Sequence, residues 1–510
     1  MIISLSVLVI TIIVSGTYAL YKAQLSKNIG VNTTTHGLAY YINYVKGTDI
    51  TAATLNPSTS YEGGASSDIE FWKKDDSYDI YGKIELTVNT IGTNLKNSPA
   101  IKYAVVNNGN VLKQGSLKGT TSGSKVTILK NLYLEQTKQI YTVYVWLDNS
   151  EELGNISNES LSISVDCTAS LQKEPTAADT IISLYTSAAK VTATNNSITY
   201  NTAPSVSLMN DRLGGTTTSL DGGNIRYYGA SPNNYIYFNC SDYSNQTSST
   251  CETWRIIGVF DGKLKLIKSE SIGAYSWDNK DTSTGAENDT GKNDWTTARL
   301  MKLLNPSNYY KVDSNDNNLG QSLYYNSASG KCYSGQNNAT VDCDFTSTGI
   351  KNAETRNMIA ETTYNLGGWN SNSVYSNQIY EYERGTTVYS GRPTTWKGKI
   401  ALAYPSDYGY AADLNQCKDK TLYDYDNRTC TSNNWMKAII TNNGSNTGWL
   451  LTPRSGSSSN AWYVNSGGFV SRDSIAYVAY GAVPVLSLSS ELGIESGGDG
   501  SSSKPYKLSA

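Results

Sequence analysis

Cysteine spacing carries the clearest chemistry in this sequence. Six of the seven cysteines form three pairs, separated by eleven, eleven and thirteen residues: Cys240 and Cys251, Cys332 and Cys343, and Cys417 and Cys430. These spacings differ from the Cys-x-x-Cys of zinc sites. We therefore predict three local disulfides in an oxidising compartment, each worth ~3 kcal/mol of unfolding free energy, with free buried thiols as the alternative. Cys167 in SISVDCT is predicted as a buried thiol, with an intermolecular bridge as the alternative.

Residues suited to acid–base or nucleophilic catalysis are sparse. The one histidine is His36, so a mechanism with a histidine base or a multi-histidine metal site is excluded. Neither a G-x-S-x-G elbow nor a P-loop occurs. Glu381 and Glu383 in YEYERG would share one face of a strand, which suits a glycosidase and a structural role equally. We predict no catalytic residues and keep an extracellular hydrolase as an alternative.

Oxygen-rich loops are the remaining candidates for a metal site. DSNDNNLG, residues 313–320, has alternating oxygen ligands, but Asn318 replaces the glycine of an EF-hand loop and Tyr324 replaces its final glutamate. Residues 277–294 and 423–427 hold further oxygen ligands in a pattern typical of solvated loops. We predict no metal ligands and no cofactor.

The stretch 452–480 combines an arginine, small polar residues and aromatic rings. Rings supply contact area at low entropic cost, and arginine among them is a frequent binding hot spot. The predicted ligand-binding residues are Arg454, Trp462, Tyr463, Tyr477 and Tyr480. The alternative is that Trp462 and Tyr463 belong to the core of the closing sheet. The loops YEYERG and YPSDYGY are expected to border the same surface.

Charge and composition limit the partners. The net charge is -3 and no basic stripe occurs, so nucleic acid is excluded as a partner. Tyrosine is abundant (39) and phenylalanine scarce (5). Tyrosine buries a ring and keeps its hydroxyl wet, which suits contact faces. The alternative reading is that bacterial extracellular β proteins commonly have this composition.

Residues 1–30 are predicted to target the chain to a membrane. Residues 1–21 carry no charged side chain, which is typical of a signal peptide cleaved after Ala19 or of a membrane helix over residues 2–21. Lys22 and Lys27 follow, and the positive-inside rule would place the remainder in the cytoplasm. The cysteine pairs favour the opposite side. GTYALYKAQL resembles the signal end of camelysin-like fibre proteins of bacterial biofilm matrices.

Hydrophobic periodicity predicts three further segments. Residues 31–170 hold short runs with partial two-residue alternation, typical of an all-β sandwich. Residues 171–225 are predicted as a linker and junction, with a domain boundary near Glu174 and one short helical pattern before a polar excursion. Residues 226–510 are predicted as a disulfide-stapled α+β recognition domain.

Two helices and a hairpin are expected in the last segment. The hairpin turns at Asp261-Gly262. Residues 293–305 and 349–369 have helical patterns, the second ending at Gly367-Gly368.

Residues 226–510 resemble one known family through motifs that occur in order: RYYGASPNNYIYFN, WRIIGVF, YSWD, W-x-x-A-x-L, LLN, YERG, ALAYPSDYGYA, WLLTPRS, AVPVLSL and GDGSSSKPYKL. It is a domain of unknown function in exported proteins of Gram-positive-related bacteria, without an activity to transfer. The series W-L-L-T-P-R, A-W-Y-V, G-G-F-V and V-P-V-L also resembles the C-type lectin-like fold of formylglycine-generating and retroelement-diversified receptor proteins. The reactive cysteines of that enzyme branch are not implied, because the cysteines here are predicted as structural pairs.

These observations predict an exported bacterial protein, extracellular or on the cell surface. Its expected role is ligand binding or adhesion, with a glycan or a protein on a host or neighbouring cell as partner. The membrane is expected as a partner only through the N-terminal segment. A structural subunit of a surface or biofilm fibre is a further alternative.

Overall fold

Strands dominate the computed structural model of this protein. The structure describes residues 23–24, 41–51, 55–151, 153–156, 159–212, 223–243, 245–279, 290–311, 319–336, 339–442, 444 and 446–509. The apolar segment 1–21, His36, residues 280–289 and most of DSNDNNLG lie outside these residues, so the predictions made on them stay predictions. No helix in the described part has the length and apolar character required to span a bilayer.

The chain divides into two compact units, Met1–Glu174 and Pro175–Ala510. The first unit contains the helix α1, Thr93–Asn97. Its strands are β1 Ala23–Gln24, β2 Ile42–Val45, β3 Ile50–Thr51, β4 Pro57–Ser58, β5 Ala65–Lys73, β6 Tyr81–Ile91, β7 Ile101–Asn107, β8 Asn110–Ser116, β9 Lys125–Tyr133, β10 Ile140–Asp148 and β11 Leu161–Ser170.

The strands of the first unit form two sheets around one core. One sheet has the order β1-β11-β6-β9 with β3 on β11, and the other has the order β2-β5-β10-β7-β8 with β4 on β10. Alternate residues of β5 and β6 are buried, because inward side chains follow the two-residue period of a strand. Ile84 and Val165 of the first sheet share a core with Phe71 and Val143 of the second. This is the β-sandwich that the alternation predicted, and the buried thiol of Cys167 lies in β11.

The second unit is α+β. Its helices are α2 Ala177–Ser187, α3 Arg299–Leu304, α4 Ala353–Met358, α5 Ser376–Arg384, α6 Pro405–Tyr410, α7 Arg428–Ser432 and α8 Met436–Thr441. Its first strands are β12 Val191–Asn195, β13 Ile198–Ala203, β14 Leu208–Asn210, β15 Ile225–Tyr227, β16 Tyr235–Phe238, β17 Glu252–Phe260, β18 Lys263–Lys268, β19 Ala274–Ser276, β20 Ser329–Tyr333 and β21 Thr340–Asp344. Its later strands are β22 Thr362–Asn365, β23 Thr395–Gly398, β24 Ile400–Ala401, β25 Gly448–Pro453, β26 Asn460–Val464, β27 Val470–Ile475, β28 Ala479–Gly481, β29 Val485–Ser487, β30 Gly493–Ile494 and β31 Leu508–Ser509.

Two sheets organise this unit. The larger has the order β12-β13-β14-β15-β17-β18-β29-β24 with β16 on β17, and the smaller has the order β19-β28-β25-β26-β27. The run TWRIIGVF is β17, and its apolar residues are continuous because both of its faces are covered. Ile256 packs into one hydrophobic core of the unit and Ile257 into another.

Of the segment predicted as a linker and junction, 171–225, the described residues from Pro175 onward instead build part of the second unit. Thr176 caps α2, since its hydroxyl accepts from the backbone N–H of Asp179 at 3.1 Å and the Asp179 carboxylate accepts in return at 2.9 Å. The strands β12, β13 and β14 then extend the larger sheet. Their β-branched and aromatic residues, such as the buried Tyr200, suit a strand although the run is rich in polar residues. A prediction from apolar content alone therefore misses three strands of the larger sheet.

The two long helices predicted in the last segment are shorter than expected. Within 293–305 only α3 is helical, because the carboxylate of Asp294 caps a preceding turn by accepting from Thr296. Within 349–369, α4 begins after the cap Asn352 and is followed by β22, which pairs with β23. The Thr-Thr-Tyr of β22 favours an extended strand over a helix.

The three cysteine pairs predicted from spacing are disulfide-bonded, at Cys240–Cys251, Cys332–Cys343 and Cys417–Cys430. Cys332 and Cys343 lie on the hairpin of β20 and β21. Asp261-Gly262 joins β17 to β18, as the sequence predicted.

Candidate functional site

Glu381 and Glu383 do not form an acid pair. They lie on α5 rather than on the predicted strand, and two residues of a helix differ by about 200° around its axis. Glu381 is exposed, whereas Glu383 is completely buried and accepts hydrogen bonds from the backbone and hydroxyl of Ser406 at 2.9 and 2.5 Å. Burial, partly offset by Arg384 and Ser406, raises the pKa of Glu383 to about 7. The arrangement lacks the two facing carboxyl groups of a glycosidase.

A second group of charges is buried inside the unit. We call Asp211, Arg226, Lys265 and Asp407 the buried charge cluster. The Nε of Arg226 lies 2.5 Å from the carboxylate of Asp211, and its Nη1 lies 2.9 Å from that of Asp407. The ammonium of Lys265 pairs with the other oxygen of Asp407. Each of the four residues is buried, so the charges are removed from water and neutralise one another.

The larger sheet explains how two cations meet one carboxylate. Arg226, Gly258 and Lys265 are register partners on β15, β17 and β18, so their side chains leave the same face of the sheet. Gly258 leaves the space between the two cations open. A Cβ atom at Gly258 would lie 2.1 Å from the carbonyl oxygen of Ile225, so the strands approach closely only with glycine there.

Asp407 is the centre of this cluster. Burial raises its pKa, but Lys265 and Arg226 outweigh that effect and hold the pKa below its usual value. The guanidinium of Arg226 also lies 4.5 Å from the ring of Phe260 and 4.7 Å from that of Tyr410. The segment YPSDYGY, residues 404–410, is buried, so the expectation that it borders a surface site is wrong. We conclude that the cluster stabilises the fold.

The accessible polar cluster of the unit surrounds Arg454, the predicted hot spot. The Nε of Arg454 donates to the Asn370 side-chain oxygen at 2.7 Å, and its Nη1 pairs with Asp473. Arg472 donates to the Asn370 backbone oxygen at 2.7 Å and to Asp473 at 2.5 Å. The side chains of Arg454, Arg472 and Asp473 are 22%, 23% and 50% exposed, so solvent reaches all three.

An aromatic stack adjoins these charges. The rings of Trp369 and Tyr382 are parallel within 4° and their centroids are 3.9 Å apart. The backbone oxygen of Trp369 accepts from the N–H of Ser455, which links the stack to the turn after Arg454. Both rings are partly exposed. Tyr382 belongs to YEYERG, so that segment does border the predicted surface.

The other predicted ligand-binding residues are divided between the core and this neighbourhood. Trp462 is completely buried in the core, so its assignment to a binding face is wrong. The ring centroid of Tyr463 lies 5.1 Å from that of Tyr480, which in turn lies 4.7 Å from that of Trp449. These three rings pack on the opposite side of the smaller sheet from Trp462. Tyr463 and Tyr480 are half-buried. Tyr477 is also half-buried, and its backbone oxygen accepts from Ser276.

We define the Arg454 surface as the polar cluster around Arg454 together with the aromatic stack that precedes Asn370 in the chain. Its residues are Trp369, Asn370, Tyr382, Arg454, Arg472 and Asp473. Sequence reasoning missed Trp369, Asn370, Arg472 and Asp473. Asn370 is 84 residues from Arg454 in the chain, so no local pattern connects them. Asp473 is 19 residues away on β27, which pairs with β26 and not with β25, the strand that leads into Arg454, so the β25–β26 hairpin does not indicate it either.

Gly368 holds the stack against the turn, and its replacement by alanine tests this geometry. A Cβ atom there would lie 2.2 Å from the backbone oxygen of Pro453, the residue before Arg454. We expect Gly368→Ala to displace the backbone that carries Trp369 and to lower the unfolding free energy by about 1 to 3 kcal/mol. Urea unfolding measures this. Gly444→Ala is the control, because its Cβ meets nothing within 4 Å. Equal stability of the two variants would contradict the close approach.

In the described part of the chain, no group of three His, Cys, Asp or Glu is placed to hold a metal ion. Tyr423, from the oxygen-rich stretch 423–427, is exposed and contacts Phe469 with ring centroids 5.7 Å apart.

Comparisons with known proteins add little. No family profile and no curated protein matches this chain. The receptor binding domain of botulinum neurotoxin mosaic serotype C/D is 11% identical over 53% of this chain and 76% of its own, with a TM-score of 0.15. A mutant of HCR/D is 12% identical over 49% of this chain and 75% of its own, also with a TM-score of 0.15. At such values the likeness carries no argument about fold or function.

Proposed function

We propose that this protein is exported and that its second unit binds a glycan or protein ligand of a host or neighbouring cell through the Arg454 surface. The observation that carries the proposal is the Arg454 surface itself, in which Asn370 holds two accessible guanidinium groups and the preceding residue, Trp369, belongs to a parallel aromatic stack. Arginine and aromatic residues are the types most enriched in binding hot spots.

Export is supported by the three disulfides, which persist in oxidising compartments. It is also supported by the resemblance of residues 226–510 to a family of exported bacterial proteins, which we keep as a proposal together with the C-type lectin-like likeness. Attachment to the membrane through residues 2–21 belongs to the same proposal.

The rigidity of the Arg454 surface favours recognition. Asn370 accepts from both arginines, and Asp473 pairs with both, so each guanidinium is held at two points before a ligand arrives. Preorganised side chains lose less conformational entropy on binding. Burial and, to a smaller extent, Tyr480 and Asp473 raise the pKa of the half-buried Tyr463, whose ring packs beside that of Tyr480.

Arg454→Ala in the full chain tests the proposal. A screen against oligosaccharides and host proteins first identifies a ligand of the unmodified protein. We expect the substitution to weaken its binding by ~1 kcal/mol or more, about fivefold, because a truncated hot spot loses packing and hydrogen bonds together. The melting temperature should stay within about 2 °C, because partly exposed ion pairs contribute little to stability.

Arg212→Ala is the matched control, since Arg212 is an exposed arginine outside the Arg454 surface. Unchanged affinity of the Arg454 variant for every ligand found would place the binding site elsewhere.

A further inference from the structure

We propose that the Arg454 surface recognises an acidic oligosaccharide, through a carboxylate or sulfate group that its two guanidinium groups contact. This inference rests on the proposed binding function and names its ligand class. Both ionic groups present oxygen acceptors to a fork of N–H donors, so one surface can take either.

Hydrogen-bond accounting shows that donors are in excess here. Each guanidinium has five N–H donors. Arg454 directs one to Asn370 and one to Asp473, and Arg472 does the same through the Asn370 backbone oxygen and the second oxygen of Asp473. Among the described residues the two guanidinium groups make no further hydrogen bonds, and both side chains are partly exposed. A ligand that satisfies the remaining donors must bring acceptors.

Acceptors on the same surface are already engaged. Both oxygens of Asn370 accept from an arginine, and each carboxylate oxygen of Asp473 takes one guanidinium. A neutral sugar hydroxyl donates as well as accepts, and to donate here it would have to share an oxygen that already accepts from an arginine. An oxyanion does not need them, so the surface favours an acidic group over a neutral one.

The net charge of the Arg454 surface also favours an anionic ligand. Two cations surround one anion, which leaves one net positive charge on a protein whose overall charge is -3. Asp473 also holds the two guanidinium groups close together in the absence of ligand. It thereby opposes their mutual repulsion and organises the site, but it weakens the field that an incoming anion meets.

The aromatic stack favours a sugar ring as the carrier of the anion. The stacked Trp369 and Tyr382 each lose one face to the other, and both remain partly exposed. Asn370 follows Trp369 directly, so the exposed aromatic area begins next to the guanidinium groups. A pyranose presents apolar C–H faces beside its ionic substituents, and sites of this kind combine apolar contact with a few placed polar groups.

Asp473→Asn gives the sharpest test, because it removes the competing charge and keeps the shape of the side chain. The full chain is titrated with uronate-bearing, sulfated and matched neutral oligosaccharides. We expect this variant to bind the acidic oligosaccharides about fivefold more tightly than the unmodified protein, and Arg472→Ala to bind them at least about fivefold more weakly. Arg472→Lys keeps the charge but not the fork and should fall between.

Two further comparisons vary the salt concentration and the type of anion on the ligand. Binding should weaken between 50 and 500 mM NaCl, because accessible charges are screened. The uronate and sulfate arms show which anion is preferred. Equal binding of neutral oligosaccharides, or a weakening by Asp473→Asn, overturns the acidic ligand while the Arg454-dependent binding site stands. A ligand that proves to be a protein, with no oligosaccharide bound, also overturns it. If Arg454→Ala binds every ligand as tightly as the unmodified protein does, the binding site itself is overturned.

Discussion

Asp407→Ala is expected to lower the unfolding free energy of the second unit by about 3 to 5 kcal/mol, one of the two largest effects in this protein. The substitution leaves Lys265 buried without its carboxylate partner and leaves Arg226 with Asp211 alone. An uncompensated charge in a buried site keeps its full desolvation penalty. Urea unfolding followed by tryptophan fluorescence measures the loss.

Asp342→Ala is the matched control for Asp407. Asp342 pairs with Lys331, but its side chain is 88% exposed. An exposed ion pair contributes at most about 1 kcal/mol, so this variant should unfold almost as the unmodified protein does. Asp407→Asn keeps the volume and removes the charge, and we expect a loss close to that of the alanine variant. Equal stability of the Asp342 and Asp407 variants would show that the cluster is not desolvated.

Trp462→Ala is expected to lower the unfolding free energy by about 3 to 5 kcal/mol, because it removes a completely buried indole and leaves a cavity. Its ring packs in a core with Leu450, Val464 and Ile439. The indole N–H has no hydrogen-bond partner among the residues that the structure describes, so Trp462→Phe loses volume but no hydrogen bond there and should cost less. Thermal and urea unfolding of both variants measure the difference.

Tyr423→Ala is the control for Trp462, since Tyr423 is a large aromatic residue that is 53% exposed. Its loss should change the unfolding free energy by less than about 1 kcal/mol. A Trp462→Ala protein that melts like the unmodified chain and yet loses ligand binding would contradict the core assignment and return Trp462 to a binding face.

The predictions that the structure reproduces all concern residues close in sequence. The cysteines of each disulfide are eleven or thirteen residues apart, the turn Asp261-Gly262 is contiguous with both of its strands, and the alternation of β6 repeats every second residue. Chain geometry alone brings such residues together, so composition and spacing were sufficient for them. Arg454, the predicted hot spot, is partly exposed to solvent, and its role in ligand binding stays a proposal.

The buried positions show where a one-dimensional pattern fails. In β26, Ala461 packs into one core of the unit and Trp462 into another, so both faces of the strand are covered. A strand covered on both sides has no polar face to mark its outward direction. The sequence therefore offered no means to separate Trp462, which is core, from Tyr463, which is half-buried. The strands β12 and β13 resembled a linker for the opposite reason, because their many polar residues hid the apolar pattern of a strand.

The sequence by itself determined the disulfides, the alternating strands of the first unit and the residue types available for binding, because each depends on neighbours along the chain. Only the tertiary structure decided which charges meet. Arg226 and Asp407 are 181 residues apart and Arg454 and Asn370 are 84 apart. Sheet register and close backbone approach at Gly258 and Gly368 bring these pairs within hydrogen-bonding distance. Whether a charged group stabilises the interior or faces a ligand is thus a property of packing, which residue type and spacing do not encode.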